Sequence, residues 1–235
     1  MRKAMKVREE ARMSVPKIGE FMDASEARRK TILKNQKFWT GGQRMVYHDA
    51  ELLIRSALLS TDAIRRLRVG ASGLKGKLVA NGPARIARDC SVEAITHVAA
   101  LHGKLDLTGV EIIMSPITGY HQAIEGVDVS VRPLVRLRRT TSEGTSYGAM
   151  LLVMRKEEGL TDHAGSAIAE LLRLSLPQAF PAGAKIDRSL CIVVDVFHES
   201  VWTAPKRGTR LMKEVRDVCW TIAHLWPFIE LGKMA

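Results

Sequence analysis

The clearest hydrophobic pattern along the chain lies at residues 127–138. Val127, Val129, Val131, Val135 and Leu137 alternate with Asp128, Ser130, Arg132, Arg136 and Arg138, the period-two spacing of a strand with one buried face. Leu134 interrupts the polar side, and Pro133 supplies no amide donor, which predicts an edge position or a bulge. A Ser/Thr/Gly-rich stretch at 140–146 and an apolar run from Tyr147 to Met154 complete a long antiparallel hairpin. Val110 to Met114 reads as a short strand. Ser189 to Phe197 reads as a buried strand in which Asp195 is the single charge.

Helical spacing fills the intervals. Thr161 or Asp162 caps a helix that stops near Leu176, before Pro177. Leu211, Val215, Val218, Ile222 and Leu225 mark the apolar face of a last helix, with Lys213, Glu214, Arg216 and Asp217 toward solvent. Ser91 suits the N-cap of a helix from Val92 to His102, with Gly103 where a C-terminal glycine belongs. Upstream, Asp23 and Glu26 resemble a capping box for a helix to Lys37. Asp49 caps a second helix to Leu59, and Thr61 or Asp62 a short third one ending near Leu67. Residues 1–22 hold Pro16 and Gly19 without a sustained period and predict a mobile arm, with a short helix as the alternative within it. Gly70 to Gly82, with Lys75 and Lys77, predicts a flexible basic loop and a soft boundary. The pattern predicts an α+β (mixed α/β) fold. A basic, mainly helical N-terminal region at 1–88 precedes an α+β domain at 89–235, in which a small sheet with a long antiparallel hairpin is flanked by helices.

Composition narrows the class. With 46% hydrophobic and 26% charged residues in 235, the chain is neither disordered nor membrane-embedded. Its apolar runs are too short to cross a bilayer. The basic N-terminus is interrupted by Glu9 and Glu10 and followed by no apolar stretch, so a cytoplasmic location is expected. Cys90, Cys191 and Cys219 form no CxxC pair and read as reduced thiols.

Charge changes the picture most. Residues 1–88 carry 20 Lys/Arg against 8 Asp/Glu, a net of +12, whereas 89–235 carry 16 against 17, a net of −1. This asymmetry points to a polyanionic partner, with nucleic acid (DNA or RNA) first and an acidic protein second. A membrane partner is not expected, because the basic helix lacks spare bulky apolar surface. Lys30, Lys34 and Lys37 stack at helical spacing with Arg28 and Arg29 beside them, and Phe38 and Trp39 follow. Arg65, Arg66, Arg68, Lys75 and Lys77 form a second cluster, and Arg132 and Arg136 share a strand face. Long cations at such spacings track phosphates, and a tryptophan beside them either stacks on an unpaired base or covers the core edge.

Catalytic patterns are absent from the sequence. The seven histidines form no HxH or HExxH pair, no GxSxG occurs, and Gly76-Lys77 is followed by Leu78 where a phosphate-binding loop needs Ser or Thr. No catalytic residue, metal site or cofactor is assigned.

The succession of elements from residue 92 to 225 is similar to the core of the PD-(D/E)XK nucleases. That resemblance implies an acidic residue on the hairpin and a Glu-x-Lys pair on the next strand, where carboxylates hold Mg²⁺ and lysine orients the water. This chain offers Arg132 and Arg136 on the first strand and Ala149 to Val153 on the second, while Glu93, Glu111 and Asp195 stand apart. The stretches from Ala27 to Phe38, Val129 to Pro133, Val194 to Phe197 and Ile222 to Pro227 resemble a group of uncharacterised bacterial proteins, which implies a bacterial cytoplasmic protein and no catalytic residues to carry over. The expectation is a non-catalytic nucleic-acid-binding or nucleoprotein-associated protein. The alternatives are a divergent metal-dependent nuclease and an assembly subunit that docks an acidic protein.

Overall fold

The computed structural model describes residues 6–39, 46–79, 82–114 and 119–230. The chain begins with β1 (Lys6–Val7), β2 (Arg12–Ser14), α1 (Val15–Asp23), α2 (Glu26–Lys37) and β3 (Phe38–Trp39). Three helices follow, α3 (His48–Leu58), α4 (Ala63–Gly76) and α5 (Gly82–Leu101). Next come β4 (Val110–Met114), β5 (Tyr120–Ile124), β6 (Val127–Val131), β7 (Val135–Thr141) and β8 (Gly144–Val153). The chain ends with α6 (Asp162–Ser175), β9 (Lys185–Asp195), β10 (Ser200–Thr203) and α7 (Thr209–Leu225).

The result is a mixed α+β fold with a five-stranded sheet in the order β4-β7-β8-β9-β10. β8 and β9 are parallel and the other neighbours antiparallel. The two central strands are apolar on both faces. Ala149, Leu151, Val153, Cys191 and Val193 enter one core, and Met150, Leu190, Ile192 and Val194 enter another. Side chains alternate along a strand, so such a pair needs cover on both sides. α1, α6, α7 and a three-stranded sheet of order β2-β6-β5 cover the first face. α3, α4 and α5 cover the second. The N-terminal stretch feeds both, with residues from Ala11 to Leu33 in the first core and Ala50 to Ala71 in the second.

Several elements differ from the sequence reading, each for a local reason. The strand expected over 127–138 is two strands in two sheets. The chain crosses between them at Arg132 to Leu134, with buried Pro133 at the bend, so the valines of β6 enter one core while Val135 and Leu137 of β7 enter the other. The hairpin β7–β8 is present with a tighter tip than expected, in which Thr141 pairs with Gly144 and Gly144 takes φ +119°. Residues 6–22 are not a mobile arm. Met13, Val15 and Ile18 are fully buried, and β2 pairs in parallel with β6. Pro16 sits in the first turn of α1, where its missing amide costs no hydrogen bond. Residues 1–5 of that expected arm lie outside the described residues.

The expected basic loop is helical through Gly76, since Gly70 is packed tightly against Leu53 and closes α4 on α3; residues 80 and 81 lie outside the described residues. Ser91 is not a cap. It lies inside the longer helix α5, buried, and donates its hydroxyl to Val46 O at 3.1 Å. Ser25 rather than Asp23 caps α2. The carboxylate of Asp23 accepts from the amide and hydroxyl of Thr161 (2.9 and 2.8 Å), and Thr161 Oγ1 accepts from Ala164 N (3.2 Å) to cap α6. No helix among the described residues is long and apolar enough to cross a membrane.

Gly148 lets β8 and β9 approach at the register shift between Tyr147 and Ala149. A Cβ there would collide with the carbonyl oxygen and Cβ of Leu190. Gly148→Ala is therefore expected to lower stability by about 1–3 kcal/mol, measured by denaturant unfolding, and an unchanged midpoint would contradict this packing.

Candidate nucleic-acid interface

Three of the five cations foreseen on α2, Arg28, Arg29 and Lys37, are engaged in holding elements together. Arg28 grips Glu20 through Nε (3.0 Å) and Nη2 (2.5 Å). Arg29 donates to Phe21 O (2.9 Å) and Met22 O (3.1 Å) and lies over the Phe21 ring. Lys30 pairs with Glu26 one turn away at 2.9 Å. Lys37 donates to the carbonyls of Trp226, Pro227 and Ile229 at 2.9–3.2 Å, tying α2 to the chain end. Lys34 is half-buried on the same helix.

Arg136 is engaged likewise, with Met114 O and Ala179 O as acceptors and Phe180 beneath it. Arg65 pairs with Asp62. Arg66, Arg68, Lys75 and Lys77 are exposed on and just beyond α4, away from the α2 cations in the sequence and on the helix that covers the other core. Of the foreseen cations among the described residues, Arg132 alone lines the groove described next, together with the foreseen Trp39.

That groove is a depression of about 470 Å³ lined by Lys6, Arg8, Arg12, Lys17 and Arg132, with Ser14, Gln36 and Ser130 between them. Trp39 stands at its side, 37% exposed, with the Arg8 guanidinium 5.5 Å from its ring centre. Glu51 is the carboxylate in the lining, and Leu151 and Leu152 of β8 form part of the floor. The local fold explains the assembly. Met13 and Val15 turn inward, so Arg12 and Ser14 turn outward on β2. Arg8 is held by Gln36 O at 3.2 Å, and Arg12 by Asp128 at 3.3 Å. Burial first, and then the neighbouring charge of Arg12, hold the Arg8 guanidinium below its ordinary pKa, with Asp128 opposing them. Crowded like charges of this kind favour an incoming anion.

A second depression of about 380 Å³ adjoins the first and shares Pro16, Lys17 and Leu152 with it. Glu20, Val46, Tyr47, Val153, Met154, Arg155, Lys156 and Glu157 complete its lining. Glu20 is 4% exposed and meets Lys17 (2.5 Å), Arg28 (2.5 Å) and Arg155 (3.6 Å). Burial pushes its carboxyl upward, but the hydrogen bonds and charges of Lys17 and Arg28 outweigh this and hold it below the ordinary range. Burial raises the Tyr47 phenol, helped by Cys90 and opposed by Lys156. Lys156 is raised mainly by its bond to Glu93.

Lys6, Arg8, Arg12, Lys17 and Tyr47, which line the two depressions, were not among the residues foreseen from the sequence. The signal was present in the even spacing of Lys6, Arg8 and Arg12, a short basic strand pattern beside inward-facing Met13 and Val15. The three carboxylates weighed for metal chemistry are separate. Glu93 pairs with Lys156 and Glu111 with Arg138. Asp195 is fully buried between Leu160 N (3.3 Å) and His198 Nδ1 (3.0 Å). Among the described residues, no group of three His, Cys, Asp or Glu side chains is placed to hold a metal ion. Burial pushes the Cys191 and Cys219 thiols up to about 12, so both are inert at neutral pH.

Because the Glu20 carboxyl is depressed in the folded protein, its contribution to stability is present above the ordinary carboxylate pKa and is lost as pH falls through the folded value. Glu20→Gln is expected to cost about 1–3 kcal/mol at neutral pH, with the gap to the parent narrowing in acid. A gap constant with pH in denaturant titrations would contradict the assigned charge state. No protein-family model matches the chain, and no curated protein matches its sequence.

Proposed function

We propose that this protein binds nucleic acid along the groove of Lys6, Arg8, Arg12, Lys17 and Arg132, without catalysing a reaction on it. The observation that carries this reading is the convergence on one depression of four cations from residues 6–17 and Arg132 from just beyond β6, with an exposed tryptophan at its side. Cations in a shaped trough follow a phosphate backbone by releasing its counterions, and an adjacent indole supports sequence-tolerant stacking.

The order of elements also supports this reading over hydrolysis. From α5 to β9 the chain runs helix, strand, two hairpins, helix, strand, with the β5–β6 hairpin added to the order expected of the nuclease-like core. Carboxylates for Mg²⁺ would be needed on β7 and β8. There the groove presents Arg132 just before β7 and Leu151 and Leu152 on β8. The trough thus holds what binds a polyanion, while the strands beneath it hold leucines where metal chemistry calls for acids.

The test is anisotropy titration of labelled single- and double-stranded DNA and RNA over a range of salt. Replacing Lys6, Arg12 and Arg132 together by Gln is expected to weaken binding. It should also flatten the dependence of log K on log salt by about 0.9 for each phosphate no longer neutralised on duplex DNA, or about 0.7 on a single strand. Replacing Arg65, Arg66 and Arg68 by Gln is expected to change neither. Absence of binding at low salt, or loss of binding only in the α4 variant, would overturn the assignment. Strand cleavage with Mg²⁺ or Mn²⁺ would favour the nuclease reading instead.

A further inference from the structure

The groove does not end at Lys17. At Pro16, Lys17 and Leu152 it shares its wall with the second depression, whose lining has a different chemistry. Pro16, Val46, Leu152, Val153 and Met154 give it an apolar part and Tyr47 a ring, with Lys17, Glu20, Arg155, Lys156 and Glu157 completing the wall. Its volume of about 380 Å³ falls within the range of about 300–1,000 Å³ typical of small-ligand sites. Phosphate tracking alone has no use for such a lining. An unstacked nucleobase does, because it buries two apolar faces while its edge seeks hydrogen-bond partners.

The polar groups present suit that edge. Arg155 lines the pocket, with Nη1 3.6 Å from Glu20 and Nη2 donating to Glu158 O, while its buried Nε has no acceptor among the described residues. The charge of Glu20 is already balanced by Lys17 and Arg28, with Arg155 within 3.6 Å, so it does not repel an approaching phosphate as a lone carboxylate would. Tyr47 is held from behind by Phe197, with ring centres 5.8 Å apart.

We infer that this pocket receives one unpaired base of a strand lying in the cationic groove, so that the preferred ligand is single-stranded nucleic acid. The inference rests on the groove reading. A base inside a duplex must first leave its stack to enter, whereas a single strand bears little of that cost.

The experiment compares an oligothymidine strand of about a dozen nucleotides, within the site sizes seen for single-strand binders, with a strand of equal length and charge made of abasic units. Both are titrated by anisotropy against the parent chain, Tyr47→Ala, Tyr47→Phe and Val46→Trp, each checked for native circular dichroism. The parent is expected to bind the thymidine strand about tenfold more tightly than the abasic one, with the same salt slope. Tyr47→Ala and Val46→Trp are expected to shrink that advantage, and Tyr47→Phe to keep it. Equal affinity for the two strands, or an advantage untouched in Tyr47→Ala and Val46→Trp, overturns the pocket assignment and leaves the groove standing. Failure of both strands to bind at low salt overturns the groove and the pocket together. Thymidine monophosphate binding as tightly as the strand, in a manner that depends on Tyr47, would assign the pocket to free nucleotides and overturn the strand claim.

Discussion

The whole arrangement depends on two adjacent strands, β8 and β9, that are apolar on both faces. A sheet of this kind is stable only when both faces are removed from water. The chain solves this by splitting its N-terminal stretch, with α1 and α2 going to one side and α3 and α4 to the other. The groove follows from that split. Seating Met13 and Val15 under the sheet forces Arg12 and Ser14 outward, and pairing β2 with β6 brings Arg12 alongside Asp128, close to where Arg132 leaves β6. A requirement of the core thereby gathers cations that are up to 126 residues apart in sequence, from Lys6 to Arg132.

Much of the positive charge serves as mortar between elements. Buried Glu20 is held by Lys17 and Arg28, and buried Glu170 by Arg173 (2.8 Å) and Arg188 (2.9 Å). Arg29 and Lys37 satisfy carbonyls at the ends of α1 and near the chain terminus. A buried carboxylate without its partners is strongly destabilising, whereas an exposed pair contributes little. Arg28, Arg29, Lys37, Arg173 and Arg188 are therefore committed to the fold before any ligand arrives, whereas Lys17 pairs with Glu20 and also lines the groove. The excess of +12 over the first 88 residues overstates the charge available for binding.

That distinction explains what the sequence revealed and what it concealed. Strong periodic elements were legible: β4 lies at Val110–Met114 as expected, α6 begins behind Thr161, and α7 presents Leu211, Val215 and Ile222 to the core. Pro16 and the glycines of α4 misled, because local breakers are tolerated where tertiary packing fixes the chain, Pro16 in a first turn and Gly70 against Leu53. The strand over 127–138 concealed a change of sheet, since the period of two persists on both sides of Pro133 although the buried faces belong to different cores. Charge composition pointed to a polyanion, and helical spacing singled out a stripe on α2 whose Arg28, Arg29 and Lys37 are bound within the fold. Lys30 and Lys37 look alike in a sequence, yet one faces Glu26 on its own helix and the other three carbonyls from the far end of the chain. Only three-dimensional placement separates a clamp from a binding group.

The most direct test is photo-cross-linking of a halogenated-uracil strand, followed by mass spectrometric identification of the attached residues. The account predicts adducts at Trp39 and Tyr47, the aromatic rings beside the groove and in its adjoining pocket. Adducts concentrated at Trp220 and Phe228, which are 53% and 80% exposed on and just after α7, or along α4 and α5, would contradict it.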